Sequence, residues 1–211
     1  MGENYELKHQ AFVLLGLVNE KMYEGGCHVY DINKRIEERG MRDWTNIGVG
    51  FSLSTIYRTL DRLENDDLVQ SYEEKIDGRT RKIYQITNYG YDILKKKVYN
   101  VLYNYMGKND EDFYVAFSMF PILILEEQVK VFSNSLKIVK KNRKELEKML
   151  DDMIRSYAGM PINVTGLFIH PIEVLKTDEK FFKMVLEDIK KIGGQIGPDD
   201  YNSNEEIRNG T

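Results

Sequence analysis

The sequence predicts a mainly α-helical chain that carries one small β-hairpin, and three observations lead there. Leu53, Ile56, Leu60 and Leu63 fall at i, i+3, i+7 and i+10, the period of a one-sided helix. Residues 68–75 and 81–86 are short strand-like runs joined by Ile76-Asp77-Gly78-Arg79-Thr80, and Asp-Gly signals a hairpin because glycine accepts the positive φ of a tight turn. Beyond residue 107 the strand signals stop and long helical periods take over.

Taken in order, residues 5–20 put Leu7, Ala11, Leu14, Leu15 and Val18 on one side of a first core helix. A polar loop, 21–26, closes in Gly25-Gly26. A second helix runs over 29–39 with Ile32 and Ile36 one turn apart, and Gly40 follows as its stop. Its Lys34, Arg35 and Arg39 are offset by Glu37 and Glu38 and read as a solvated face. The connector 41–52 holds Gly48, Gly50 and the single tryptophan, Trp44, which reads as a packing residue. Ser52 or Ser54 can cap the third helix by accepting from free first-turn amides. The polar side of that helix is expected to carry Thr55, Arg58, Thr59 and Arg62 outward. Thr87 then caps a fourth helix over 88–106, and residues 107–110 end it.

The second half differs. Residues 111–120 form an aromatic-rich helix with Phe113, Phe117 and Phe120. Pro121 then opens a helix expected to run to about residue 157, since proline suits a first turn and no glycine or proline follows. Val129, Phe132, Leu136, Val139, Leu146, Leu150 and Met153 recur along it at intervals of three and four, and Arg143 interrupts the stripe. A helix this long with one apolar stripe needs a partner surface. Pro171 is expected to start a last helix to residue 192, and the polar residues 193–211 to be disordered. The domain reading is therefore 5–107, 108–192 and a tail of 193–211.

Composition bounds the function. With 211 residues, 42% hydrophobic and 30% charged, the chain reads as soluble and globular. No apolar run approaches a membrane span, and the N-terminus lacks the features of a secretory signal, so a cytoplasmic protein without membrane contact is expected. Cys27 is the only cysteine, which excludes an internal disulfide and fits a reducing compartment. His9, His28 and His170 show no metal spacing, so neither metal nor cofactor is expected. An enzyme is not expected: no nucleophile stands at a recognisable spacing from a base, and no glycine-rich phosphate loop is present. The carboxylate pairs Glu126-Glu127, Asp151-Asp152 and Asp199-Asp200 belong to helix surfaces or the tail.

The net charge of −4 argues against a coat of nucleic acid, but phosphate contacts depend on local basic clusters. Lys75, Arg79, Arg81 and Lys82 face Asp77 alone between residues 75 and 82, a surplus of three charges at a hairpin tip. A polar-faced helix followed by a basic hairpin has the form of a winged helix-turn-helix, which points to DNA.

With these residues laid out, the chain resembles the PadR family of winged-helix transcriptional regulators. The resemblance rests on Leu14-Leu15-Gly16-Leu17, on His28-Val29-Tyr30-Asp31-Ile32 with Lys34-Arg35-Ile36, and on Ser54-Thr55-Ile56-Tyr57 with Leu60 and Arg62-Leu63-Glu64. It also rests on 78–84 and on Ile86-Thr87-Asn88-Tyr89-Gly90. It covers about residues 8–95; residues 113–153 are similar to the family's dimerisation region in pattern only. Val29 replaces a small residue beside the motif tyrosine, 21–26 looks inserted, and Arg58 stands where a proline is frequent, so an altered sequence preference is expected.

The resemblance implies an N-terminal winged helix-turn-helix domain followed by a C-terminal helical dimerisation domain. It implies a homodimer that places recognition helices in successive major grooves of operator DNA and acts as a repressor. The DNA-binding set is Ser54, Thr55, Tyr57, Arg58, Arg62, Lys75, Arg79, Arg81 and Lys82. The dimerisation set is Phe117, Phe120, Phe132, Leu136, Val139, Leu146, Leu150 and Met153. An aromatic or drug-like small-molecule effector is a candidate partner, with the Phe113–Phe120 aromatics as its lining or simply as dimer core. The competing reading is a winged-helix protein-interaction module that does not bind DNA.

Overall fold

The computed structural model describes residues 5–39, 51–76, 78–107, 111–156 and 159–192. Trp44 with most of its connector, and the tail 193–211, lie outside the described residues. The elements are α1 (His9–Glu20), β1 (Cys27–His28), α2 (Val29–Glu38), α3 (Leu53–Asn65), β2 (Val69–Ile76), β3 (Arg79–Ile86), α4 (Asn88–Tyr103), α5 (Glu111–Ser118), α6 (Leu125–Ser156) and α7 (Ile162–Ile192). The chain is thus mainly helical with a small antiparallel sheet of order β1-β3-β2, a winged-helix arrangement. It forms two compact units, residues 1–99 with 110–122 and residues 100–109 with 123–211.

The first unit is built around α1. Every residue from Ala11 to Val18 is buried, so this helix has no solvent face along its middle and packs against α2, α3, β3 and α5. Burying one such leucine or phenylalanine contributes roughly 1.5–3 kcal/mol. Two glycines allow close backbone approaches. Gly26 has φ +111°, and a Cβ there would lie 2.6 Å from the Tyr84 carbonyl oxygen, where the chain lays β1 against β3. A Cβ on Gly90 would lie 2.0 Å from the Leu68 carbonyl oxygen. That contact belongs to a clasp: the Thr87 hydroxyl accepts from the Gly90 amide at 2.9 Å and donates to the Asp67 carbonyl at 2.6 Å. The start of α4 is thereby fastened to the end of α3. The two-residue strand β1 is an addition to the expected hairpin, too short to give a periodic signal; it pairs Cys27 with Tyr84 and His28 with Ile83.

The second unit is dominated by α6 packed along α7. Two expected helix starts are corrected. Pro121 lies in a 3-10 turn, Phe120–Ile122, and α6 begins at Leu125, where the Ile124 amide donates to the Glu127 carboxylate at 3.1 Å. The side-chain cap, not the proline, sets the start. Pro171 does not open α7 but lies inside it. Its ring leaves the Leu167 carbonyl without its usual intrahelical donor, and Leu167 is exposed, so water can satisfy that oxygen. The partner surface that α6 requires is α7 of the same chain. Arg143, the break in the apolar stripe, sits on this seam and donates to Glu179 of α7 at 3.1 Å and to Glu147 at 2.7 Å.

The aromatic helix α5 falls in the first unit. Its Asp112 accepts from His9 of α1 at 2.7 Å and pairs with Lys97 of α4 at 2.5 Å. Burial of Asp112 opposes ionisation, but the hydrogen bonds and charges of His9 and Lys97 together outweigh it and hold the carboxyl below its ordinary value. A depressed folded pKa contributes stability that is full above the ordinary value of 3.8 and is lost as pH falls through the folded value. Thermal unfolding between about pH 5 and about pH 3 should therefore show a steeper fall in Tm for the wild type than for Asp112→Asn, which lacks the titrating group.

Candidate nucleic-acid interface

Helix α3 presents one continuous exposed row. Ser54, Tyr57, Arg58, Asp61 and Arg62, at i, i+3, i+4, i+7 and i+8, all face solvent. Behind them Ile56, Leu60 and Leu63 are fully buried. The helix is capped by Ser52, whose hydroxyl accepts from the Thr55 amide at 3.2 Å. At the other end the Tyr5 hydroxyl donates to Asp66 at 2.5 Å; burial first and this bond second push the Tyr5 pKa up to about 12.

Two expectations about this helix are corrected. Thr55 and Thr59 do not face outward: they are only 9% and 7% exposed, and the Thr55 hydroxyl is engaged with Ser52 at 2.9 Å. Leu53, placed on the apolar side by its spacing, is 48% exposed. The buried sector is rotated toward the threonines: Thr55, Ile56, Thr59, Leu60 and Leu63 are buried and Leu53 is left to solvent.

The hairpin is less basic than its tip suggests. In the β2–β3 register Glu73 faces Lys82, Glu74 faces Arg81 and Lys75 faces Thr80. Counting Glu73 and Glu74 with residues 75–82, four basic residues stand against three acidic ones, so the surplus shrinks to one. Arg79 opens β3 opposite Ile76; its side chain and Asp77 lie outside the described residues. Lys75 is exposed and Arg81 half-buried. Among the described residues Arg58, Arg62, Lys75 and Arg81 take part in no salt bridge, so their charges remain available to a ligand.

Lys82 has another occupation, which corrects its placement beside Arg81 at an open tip. Successive strand residues point to opposite faces, so Lys82 shares a face with Tyr84 and reaches back to α3. Its ammonium lies 2.7 Å from Glu64 and 3.8 Å from Asp61, and 5.0 Å from the centre of the Tyr84 ring. Ser71 of β2 donates to the same Glu64 carboxylate at 2.5 Å. The bond from Lys82, then that from Ser71, hold the Glu64 carboxyl below its ordinary range, and the bond to Glu64 raises the Lys82 pKa. Glu64 and Ser71, absent from the sequence-derived set, thus join the recognition helix to the wing. Their signal was the pleat: in the register Ser71 faces Tyr84 and Glu73 faces Lys82, which sets Ser71 and Lys82 on one face, above the last turn of α3.

This arrangement can offer two arginines on a rigid helix and a pair of cations on a hairpin to an anionic surface. Residues 15–96 match the family model described as the transcriptional regulator PadR-like family. This stretch is similar to that family's domain. Its limits span α1 from Leu15 through most of α4, and so contain the whole α3–wing junction. No curated protein matches the chain. Among solved structures, the chain resembles Bacillus subtilis PadR in complex with operator DNA, at 18% identity over 86% of this chain and 99% of that one, TM-score 0.39. It also resembles a PadR family regulator from hypervirulent Clostridium difficile, at 27% identity over 43% and 85%, TM-score 0.34. A PadR-like regulator from Bacillus cereus stands at 18% identity over 89% and 99%, TM-score 0.34.

The residues expected to dimerise are distributed differently from the single stripe foreseen. Phe132 and Val139 are fully buried inside the second unit, with Phe132 6.0 Å from Phe182 of α7. Within the single chain they are core. Leu136, Leu146, Leu150 and Met153 are half-buried. Phe117 and Phe120 lie in the first unit, half-buried, in a chain of ring contacts from Phe113 to Phe117 at 6.0 Å and on to Phe120 at 5.5 Å.

The wing strut predicts a measurable coupling. In a double-mutant cycle by chemical denaturation, Lys82→Ala and Glu64→Ala should be non-additive by about 0.5–1 kcal/mol, the scale for a half-exposed pair. Lys75→Ala combined with Glu64→Ala should be additive.

Proposed function

We propose that this chain is a dimeric, DNA-binding transcriptional regulator that acts as a repressor by occupying promoter DNA. The observation that carries the reading is the exposed row of α3, in which Arg58 and Arg62 enter no salt bridge among the described residues, on a helix whose rear is locked into the core. Such a helix fits a major groove, where arginine donates bidentately to guanine. The similarity of residues 15–96 to the PadR-like family supports the same reading. Arg81 and Lys75, with Arg79, supply phosphate contacts from the wing. Ser54 and Tyr57 add hydroxyl donors to the row, whereas Thr55 acts as part of the cap and Lys82 as the strut that sets the wing's angle.

A second copy is supported by apolar side chains left open on α6 and α7. Met149, Ile154, Ile162 and Leu167 are 53%, 52%, 78% and 74% exposed, and they accompany the half-buried Leu146, Leu150 and Met153. Two copies would read two half-sites about 34–36 Å apart, one helical turn. The half-buried rings of Phe117 and Phe120 are the surface on which an aromatic or drug-like effector would act.

Fluorescence polarisation with the chain's own upstream DNA, titrated at several salt concentrations, tests this. Two chains per duplex and a steep loss of affinity with salt are expected. Arg81→Ala should weaken all sequences alike, and Arg58→Ala should change which sequence wins, by about 1–3 kcal/mol at one base pair. Absence of salt-sensitive binding to any duplex would instead favour a winged-helix module that docks proteins.

A further inference from the structure

Helix α6 turns a second set of cations to solvent. Lys137, Lys140, Lys144 and Lys148 recur at intervals of three, four and four, which keeps them on one side of the helix. That side lies opposite Val131, Ser135 and Val139, which are buried. Lys137, Lys144 and Lys148 are exposed and Lys140 half-buried. Nearby charges are otherwise matched: Lys141 pairs with Glu145 at 3.7 Å, and Arg143 with Glu147 and Glu179. Among the described residues none of the four lysines enters a salt bridge, although acidic side chains outnumber basic ones in the chain, 34 to 30. Three of them, with Ser133, Leu136 and the paired Lys141 and Glu145, line a groove of about 520 Å³ along the helix.

We propose that this face of α6 is a second DNA-contacting surface that takes the phosphate backbone of a duplex without reading its sequence. The inference rests on the DNA-binding reading and extends it to the second unit. From Lys137 to Lys148 the stripe runs eleven residues, about 16 Å of helix, alongside a polymer that carries one charge per about 1.7 Å of its axis. A regular row of four point charges suits a regular polyanion. Ammonium groups on long, flexible stems suit phosphate oxygens and discriminate little between bases. A membrane surface is the poorer fit: an interfacial helix inserts its apolar face, and along this part of α6 the apolar residues Val131, Phe132 and Val139 are fully buried.

The test compares the full-length wild type, the quadruple variant K137Q/K140Q/K144Q/K148Q and Arg81→Ala. Each is titrated against a duplex of about 60 base pairs over a range of salt, and against anionic phospholipid vesicles by co-sedimentation. The expected result is that the quadruple variant flattens the dependence of log K on log salt by about 3.6 for each bound chain, four contacts at 0.9 each. The ratio of affinities between a preferred and a scrambled sequence stays unchanged. A slope equal to that of the wild type, while Arg81→Ala still weakens binding, overturns the stripe and leaves the DNA reading standing. Loss of vesicle binding by the variant with an unchanged DNA slope also overturns it, in favour of a lipid surface. If the wild type binds no duplex, the DNA reading fails and the stripe with it.

Discussion

What α3 can present is decided by what is buried behind it. Ile56, Leu60 and Leu63 have no exposed surface, and they close against α1, a helix buried on all sides, and against α2. Rotating α3 by one residue position would bring Asp61 and Glu64, or in the other sense Arg62, into that core, and an unpaired buried charge costs several kcal/mol. Only one orientation survives, and it places Ser54, Tyr57, Arg58 and Arg62 in a single outward row. The Ser52 cap and the Tyr5 bond at the far end hold both ends of the helix in that orientation.

The wing depends on α3 in turn. Glu64 receives Ser71 from β2 and Lys82 from β3, so both strands of the hairpin are fastened to the last turn of the helix. The Thr87–Gly90 clasp fastens the chain again as it leaves the sheet. The charges of this unit therefore divide into two populations. Arg35 and Arg39 on Glu20, Lys97 on Asp112, and Lys82 on Glu64 hold elements together. Among the described residues, Arg58, Arg62, Lys75 and Arg81 enter no salt bridge. A net charge of −4 obscures this division because the sum does not record which charges are already matched.

Much of this was legible in the sequence. The order of helices, the hairpin, the cap at Ser52 or Ser54 and the Thr87 start of α4 follow from local chemistry that acts within three or four residues. What failed was set by partners distant in the chain. Thr55 and Thr59 look like solvent residues but are buried, and Leu53 looks like core but is left exposed at the start of the helix. Lys82 reads with Arg81 as one basic tip until the pleat sends them to opposite faces. Pro121 and Pro171 both suit helix starts, yet Glu127 caps α6 from within, and α7 carries its proline inside the helix beside the exposed Leu167. Phe132 and Val139 lie on the apolar stripe of α6, and the periodicity of α6 alone does not reveal that both are buried within the chain, with Phe132 beside Phe182 of α7.

The central claim, that the outward row of α3 and the hairpin are the DNA-reading surface, is tested most directly by amide hydrogen exchange with and without duplex DNA carrying the upstream sequence. Slower exchange is predicted over Leu53–Asn65 and over the β2 and β3 strands, with α1, already buried, unchanged. Protection that appears elsewhere, or nowhere, while DNA is bound would contradict the account.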